Sequence, residues 1–151
     1  LFYLRGDALD GTDLETAVRT SLARIAVAAT RVAVRLDVAR ARLDDTAAHA
    51  LLCVIRELVS NALRHGRADD VRVAGCRDGG LLRVSVRDNG CGFDPRRRPG
   101  PAEGHFGLTG VRDRLRRLKG TVEIRSTPGR GTRVTVALPI SRADDGKEGR
   151  A

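Results

Sequence analysis

Asp88-Asn89-Gly90-Cys91-Gly92-Phe93-Asp94 is the stretch whose residue types and spacing point most directly to chemistry. It follows an alternating segment, Leu82-Arg83-Val84-Ser85-Val86-Arg87, so Asp88 stands at the end of an expected strand. A carboxylate there, followed by Gly90 and Gly92, lets backbone pass very close to a flat ligand. Glycine has no Cβ and tolerates positive φ, so such a turn carries little steric penalty. Plain turns use the same residues. The stretch gains its weight from two companions, one upstream and one downstream.

Upstream runs Arg56-Glu57-Leu58-Val59-Ser60-Asn61-Ala62-Leu63-Arg64-His65. On a helix, Glu57, Asn61 and Arg64 fall within about 60° of one another. They flank an apolar stripe of Leu51, Ile55, Leu58 and Ala62 rather than oppose it. Asn is a poor helix-interior residue because its amide competes for backbone groups, so Asn61 invites a reason. An amide oxygen is a hard ligand suited to Mg²⁺, and a carboxylate one turn away can orient a water on the metal. An ordinary polar flank has the same spacing. Downstream, Gly104-His105-Phe106-Gly107-Leu108-Thr109-Gly110 enters another helix. Free N–H groups at a helix start favour phosphate oxygens, and glycines let the backbone come close. A Gly-rich linker before an amphipathic helix is the plainer alternative. No Walker pattern occurs, and no G-x-G-x-x-G follows a strand.

The elements that must position these groups are legible from period and punctuation. Thr12 and Glu15 read as a capping box for a helix over about 13–29, with Leu14, Val18, Leu22 and Ile25 at helical spacing. Val32, Val34 and Leu36 alternate as a strand. Asp44 or Asp45 caps a second helix that runs to about His65, where Gly66 stops it. Val71 and Val73 begin a strand, Asp78-Gly79-Gly80 turns it, and the returning strand leads to Asp88. Residues 94–106 hold prolines, glycines and Arg96-Arg97-Arg98, and read as a functional loop. A third helix starts near Gly107 or Leu108, presents Leu108, Val111, Leu115 and Leu118 on one face, and ends at Gly120. Val122 and Ile124 form one strand and Val134, Val136 and Leu138 the next, turning through Pro128-Gly129-Arg130-Gly131. Strict alternation gives the sheet one buried face. The order predicts an α/β two-layer sandwich, with a mixed, largely antiparallel sheet and helices on one side. Residues 1–11 read as the end of an upstream linker, 12–140 as the folded domain and 141–151 as a disordered tail.

Bulk properties narrow the class. The 151 residues suit one compact domain, and 41% hydrophobic residues can build a core. Aromatics number only three Phe and one Tyr, so aliphatics must fill that core. No run approaches the roughly 18 apolar residues of a membrane span, and no signal-peptide pattern opens the chain. Leu1 is not an initiator Met, and a fragment of a longer protein is expected. Cys53, Cys76 and Cys91 fit neither a disulfide framework nor a zinc site and read as free thiols. The net charge of +9 comes almost entirely from Arg. The arginines are scattered, without interleaved aromatics, so direct nucleic-acid binding is not expected. Arg is also a natural partner for phosphate.

The three stretches together, in this order, resemble the N, G1 and G2 boxes of the gyrase, Hsp90, histidine kinase and MutL superfamily. Arg-Glu-Leu-x-x-Asn-Ala-Leu-x-His, Asp-Asn-Gly-Cys-Gly-Phe, Gly-Leu-Thr-Gly-Val-Arg-Asp-Arg-Leu and Gly-Thr-Arg-Val-Thr-Val-x-Leu-Pro are similar to the catalytic domain of sensor histidine kinases of the NarL-partner type. The resemblance covers roughly residues 12–140 and implies a Bergerat-type ATP-binding fold. It implies Mg²⁺ coordination by Asn61, with Glu57 supporting the metal and polarising its water. Arg64 and His65 approach the phosphates. Asp88 accepts from the adenine amino group, Gly92 lines the base and Thr132 reaches it through water. Gly107, Leu108 and Gly110 contact the triphosphate under a lid of about 94–106. Gly90, Phe93, His105 and Thr109 complete the cofactor-binding set. Val111 and Asp113 stand where Met and Glu are more usual, and the short lid lacks the Phe-rich box of other kinases.

The family's phosphoacceptor His-Asp pair has no match. His49 is followed by Ala50, His65 by Gly66 and His105 by Phe106. His49 is expected at the surface of its helix. The resemblance therefore implies ATP and Mg²⁺ as cofactors and γ-phosphoryl transfer to a histidine on a separate dimerisation domain. It also implies a response regulator as the next partner, a homodimeric full-length protein and a monomeric isolated domain. The location is cytoplasmic, with membrane anchoring of the full-length protein left open. An anti-sigma-factor-like serine kinase or partner-switching regulator on the same fold is the second reading. A basic binding module without affinity for ATP is the third.

Overall fold

Two periods of apolar residues build the two layers. The computed structural model describes residues 13–26, 28–38, 43–96 and 106–140. The upstream linker, the 141–151 tail, Thr12, His105 and most of the 94–106 loop lie outside the described residues.

Helix α1 (Leu14–Ala23) is capped by Asp13, whose Oδ1 accepts from the Thr16 N–H at 2.6 Å. That replaces the expected Thr12–Glu15 box, and the helix ends at Ala23 rather than near 29. Glu15 instead faces strand β1 (Arg31–Asp37). Its Oε2 accepts from the Leu36 N–H at 3.0 Å and its Oε1 pairs with Arg19 at 2.7 Å, while Arg19 Nη2 donates to the Val34 carbonyl at 2.9 Å. These side chains occupy backbone groups that an edge strand leaves open.

Helix α2 (Asp45–Arg64) starts at Asp44, whose Oδ1 accepts from the Ala47 N–H at 2.7 Å. Leu51, Leu52, Val54, Ile55, Leu58 and Val59 are buried along it, which puts α2 at the centre of the core. Its length and apolar content would also suit a membrane span, but that stripe packs against the sheet. The helix closes through His65, and both His65 and Gly66 N–H groups donate to the Asn61 carbonyl. His49 is half-buried where it lines an open groove beside Gly110 and Arg114, with Nε2 at 3.6 Å from Cys53 Sγ.

Strands β2 (Asp70–Asp78) and β3 (Leu81–Asp88) form the expected hairpin, with Gly79 at φ +60°. Helix α3 (Phe106–Arg117) then precedes β4 (Thr121–Ser126) and β5 (Thr132–Pro139). The five-stranded sheet has order β1-β2-β3-β5-β4. Only the β1–β2 pair is parallel; the others are antiparallel. Val71, Val73, Val84, Val86, Val134 and Val136 point to the helices and are buried, whereas the alternate residues face outward. This is the two-layer sandwich that the alternation predicts. Among the described residues the cysteines are free.

Candidate functional site

Where β3 ends, backbone bonds tie the Asp88–Phe93 segment to three other parts of the chain. Asp88 Oδ1 accepts from the Gly90 N–H at 2.8 Å. The Cys91 N–H donates to the Gly66 carbonyl at 2.8 Å, fastening the turn to the end of α2. The Gly129 N–H donates to the Cys91 carbonyl at 2.6 Å, and the Phe93 N–H to Ser126 Oγ at 2.8 Å, fastening it to the β4–β5 hairpin. Ser126 Oγ also donates to the Gly131 carbonyl at 3.0 Å and lies 2.8 Å from Thr132 Oγ1.

The glycines here have specific reasons. Gly92 has φ +64°, and a Cβ on it would collide with the Thr127 carbonyl oxygen. A Cβ on Gly90 would collide with the Gly66 carbonyl oxygen, and one on Gly131 (φ +76°) with that of Asp88. The turn can therefore lie this close to its neighbours only with hydrogen at these positions.

Asp88 is half-buried, and burial pushes its carboxyl above the ordinary value. Backbone donation from Gly90 and Thr132 works against that rise. The result is a desolvated acceptor held at a fixed place at the end of β3.

A cleft of about 460 Å³ opens over this floor. It brings together Asn61, Arg64 and His65 from α2, Asp88, Gly92 and Phe93 from the β3 turn, Leu108 from α3 and Thr132 from β5. Leu58, Ala62, Val86 and Val134 supply an apolar wall. A flat apolar slot with a few convergent polar groups is the form that small-molecule sites take. The volume is also within their usual range of about 300–1,000 Å³.

Glu57 does not line this cleft. It faces an adjoining groove of about 760 Å³ with His49, Cys53, Gly110 and Arg114, and Arg64 borders both spaces. Gly90 is buried beneath the turn, and Thr109 is exposed on α3. Gly107 lies in the first turn of α3.

Other residues of the site were not singled out from sequence. Asn89 accepts through Oδ1 from the Asp69 and Asp70 N–H groups at 3.1 and 3.0 Å, closing the strand end. An Asn between Asp and Gly is the available signal, since its side chain commonly bonds nearby backbone. Ser126 and Arg67 carried no such signal, and Gly131 only that of a turn residue; their roles depend on pairing register and on the end of α2.

The arrangement is an apolar-walled cleft with convergent polar groups, set on a two-layer sandwich whose helices cover one sheet face. Residues 46–142 match the family of histidine kinase-, DNA gyrase B- and HSP90-like ATPases, and the chain belongs to that family. A sensor-like histidine kinase of Chloroflexus aurantiacus is 34% identical over 146 residues, covering 93% of this chain and 24% of that protein. The nitrate/nitrite sensor protein NarQ of Escherichia coli is 38% identical over 100 residues, covering 65% of this chain and 16% of that protein. The histidine kinase domain of the Erythrobacter litoralis EL346 blue-light activated kinase superposes with a TM-score of 0.68 at 26% identity, over 84% of this chain and 59% of that one. The ATP binding domain of PrrB from Mycobacterium tuberculosis gives a TM-score of 0.68 over 87% of this chain and 96% of that one; at 22% identity it shows the fold alone. The chain spans about a quarter of the length of curated relatives that it matches. The resemblance to the histidine kinase branch thus holds, and ATP is the nucleotide that this family's fold serves.

Proposed function

We propose that this chain binds Mg-ATP in the 460 Å³ cleft and presents its γ-phosphoryl to a histidine on a separate dimerisation domain. The observation that carries the reading is the meeting of Asn61 and Asp88 in one apolar-walled cleft, from elements far apart in sequence. Asp88 accepts from the adenine amino group. The Gly92 backbone and Phe93 flank the base, and Thr132 holds the end of the slot. Arg64 and His65 reach toward phosphate charge, and the start of α3, with Gly107, Leu108, Thr109 and Gly110, supplies backbone for it. The chain's work is then positioning and charge neutralisation rather than covalent chemistry.

The donor chemistry fits Mg²⁺. Among the described residues no group of three or more His, Cys, Asp or Glu side chains forms a metal cage. Mg²⁺ is commonly held by one or two protein oxygens, with waters and phosphates supplying the rest. Asn61 would hold it, with Glu57 acting from the adjoining groove through water. The ion would neutralise phosphate charge.

The full-length protein, on this reading, is a homodimeric sensor kinase whose cytoplasmic catalytic domain feeds a response regulator. The test is incubation with γ-labelled ATP. The isolated chain should bind Mg-ATP yet acquire no acid-labile label, and label should appear on a histidine-bearing helical domain supplied in trans. Stoichiometric phosphohistidine on the chain itself would overturn the division of labour. Transfer to a serine of a protein partner would favour the anti-sigma-factor-like reading.

A further inference from the structure

The solvent face of the sheet carries a pattern that the cleft does not use. Pairing register sets Arg72 opposite Arg87, Arg87 opposite Arg133, and Arg133 opposite Arg125. One exposed row of arginines thus crosses β2, β3, β5 and β4. Neighbouring strands lie about 4.8 Å apart, which sets the pitch of the row. Like charges directly opposite one another destabilise a sheet. Only the ends of the row are offset: Arg72 pairs with Asp70 at 3.3 Å and Arg125 with Glu123 at 2.8 Å. Arg87 and Arg133, in the middle, make no ion pair among the described residues. The acidic residues of this face nearest the row, Asp70 and Glu123, pair with its two ends, Glu123 standing opposite Thr135, and leave the middle of the row uncompensated.

Beside the row, the next outward-facing positions are short. Register aligns Ala74, Ser85 and Thr135 across the same three central strands. They form a shallow trough walled on one side by the arginines. Among the described residues no aromatic ring stands on this face.

We propose that this face docks an acidic α-helix of a protein partner, lying across the strands in the trough with its carboxylates on the arginine row. A helix advances about 5.4 Å per turn. One carboxylate per turn therefore nearly matches the strand pitch, and the long arginine stems absorb the difference. The guanidinium fork suits bidentate carboxylate contact. The short residues of the trough let a helix come close to the sheet. The described face offers no ring for nucleic-acid bases to stack on and no apolar wedge to enter a bilayer.

The test titrates the whole chain with a labelled helical peptide carrying Glu at i, i+4, i+7 and i+11, and with a scrambled peptide of equal composition. The aligned peptide should bind about tenfold more tightly than the scrambled one, as a few exposed ion pairs allow, and should weaken with salt. The double variant Arg87→Ser/Arg133→Ser should lose about that tenfold. Its melting temperature should hold or rise, because opposed charges are removed. The control Arg112→Ser/Arg116→Ser on α3 removes the same charge and should leave binding unchanged. Equal affinity for both peptides, or equal loss in the control, would overturn the proposal. So would phosphatidylserine vesicles or duplex DNA binding through Arg87 and Arg133 more tightly than the aligned peptide, each of which assigns the face to another partner.

Discussion

The two ends of the cleft are built by different means. At the floor, Asp88 to Phe93 is bonded to α2, to the β4–β5 turn and to Ser126, and its glycines leave no room for side chains. At the rim, Arg64 and His65 are exposed and Asn61 is half-buried; their side chains make no hydrogen bond among the described residues. The floor is shaped before a ligand arrives. The rim side chains, in the proposed function, would gain their partners from phosphate and metal. Base recognition should therefore tolerate little change, whereas the phosphate end should respond to ligand charge and solution conditions.

The largest effect is expected from Gly92→Ala. The residue sits at φ +64°, and its new Cβ would meet the Thr127 carbonyl. Strain of this kind costs about 1–3 kcal/mol before the collision is relieved. Thermal melting should fall and ATP binding should be lost together. A variant with unchanged melting and affinity would show that the floor is more pliant than described.

Asp88→Asn separates recognition from folding. The adenine amino group would lose its charged acceptor, costing about 1–3 kcal/mol of binding, roughly five- to 150-fold. The fold should not suffer, which follows from the direction of the Asp88 shift. Its carboxyl titrates higher in the fold than in the open chain. The favourable contribution is full below the ordinary carboxylate range and is lost as pH rises through the raised value; above that, the charged group costs stability. At neutral pH the amide variant should melt no lower than wild type. Calorimetry showing wild-type affinity would remove Asp88 from the site.

The same shift predicts a smaller effect of solution acidity on binding. With Asp88 as the proposed acceptor of the adenine amino group, affinity should fall on acidification through the raised value, earlier than an ordinary Asp would dictate. Asp88→Asn should flatten that profile. A wild-type profile no steeper than the variant's would place the acceptor elsewhere.

Asn61→Ala should act only at the rim. It should reduce the gain in ATP affinity on adding Mg²⁺ while leaving adenosine binding nearly unchanged. Full retention of the Mg²⁺ effect would take the metal from Asn61.

The comparison of floor and rim also explains what could be seen in the sequence. Helices α2 and α3 and the alternating strands were legible because period and caps are local, as at Asp44 and Gly79. The Asp88–Gly92 turn was legible because only glycine tolerates its geometry. Asp13 caps α1 locally, and Glu15 went to Leu36 because a tertiary partner outcompeted a local bond at the helix start. Ser126 was invisible, and Gly131 was legible only as a turn residue, because their contacts depend on the register between β4, β5 and the turn. The arginines looked scattered for the same reason: only cross-strand pairing places Arg72, Arg87, Arg133 and Arg125 in one row.

The most direct test of the nucleotide cleft is isothermal titration of the chain with ATP and with GTP, each with Mg²⁺. On the proposed reading, Asp88 at the floor would accept from the amino group of adenine and would repel the carbonyl oxygen that guanine presents at the corresponding position. Saturable ATP binding is expected, with GTP binding at least about tenfold weaker, the scale of one mismatched buried hydrogen bond. Equal affinity for both nucleotides, or none for ATP, would contradict it.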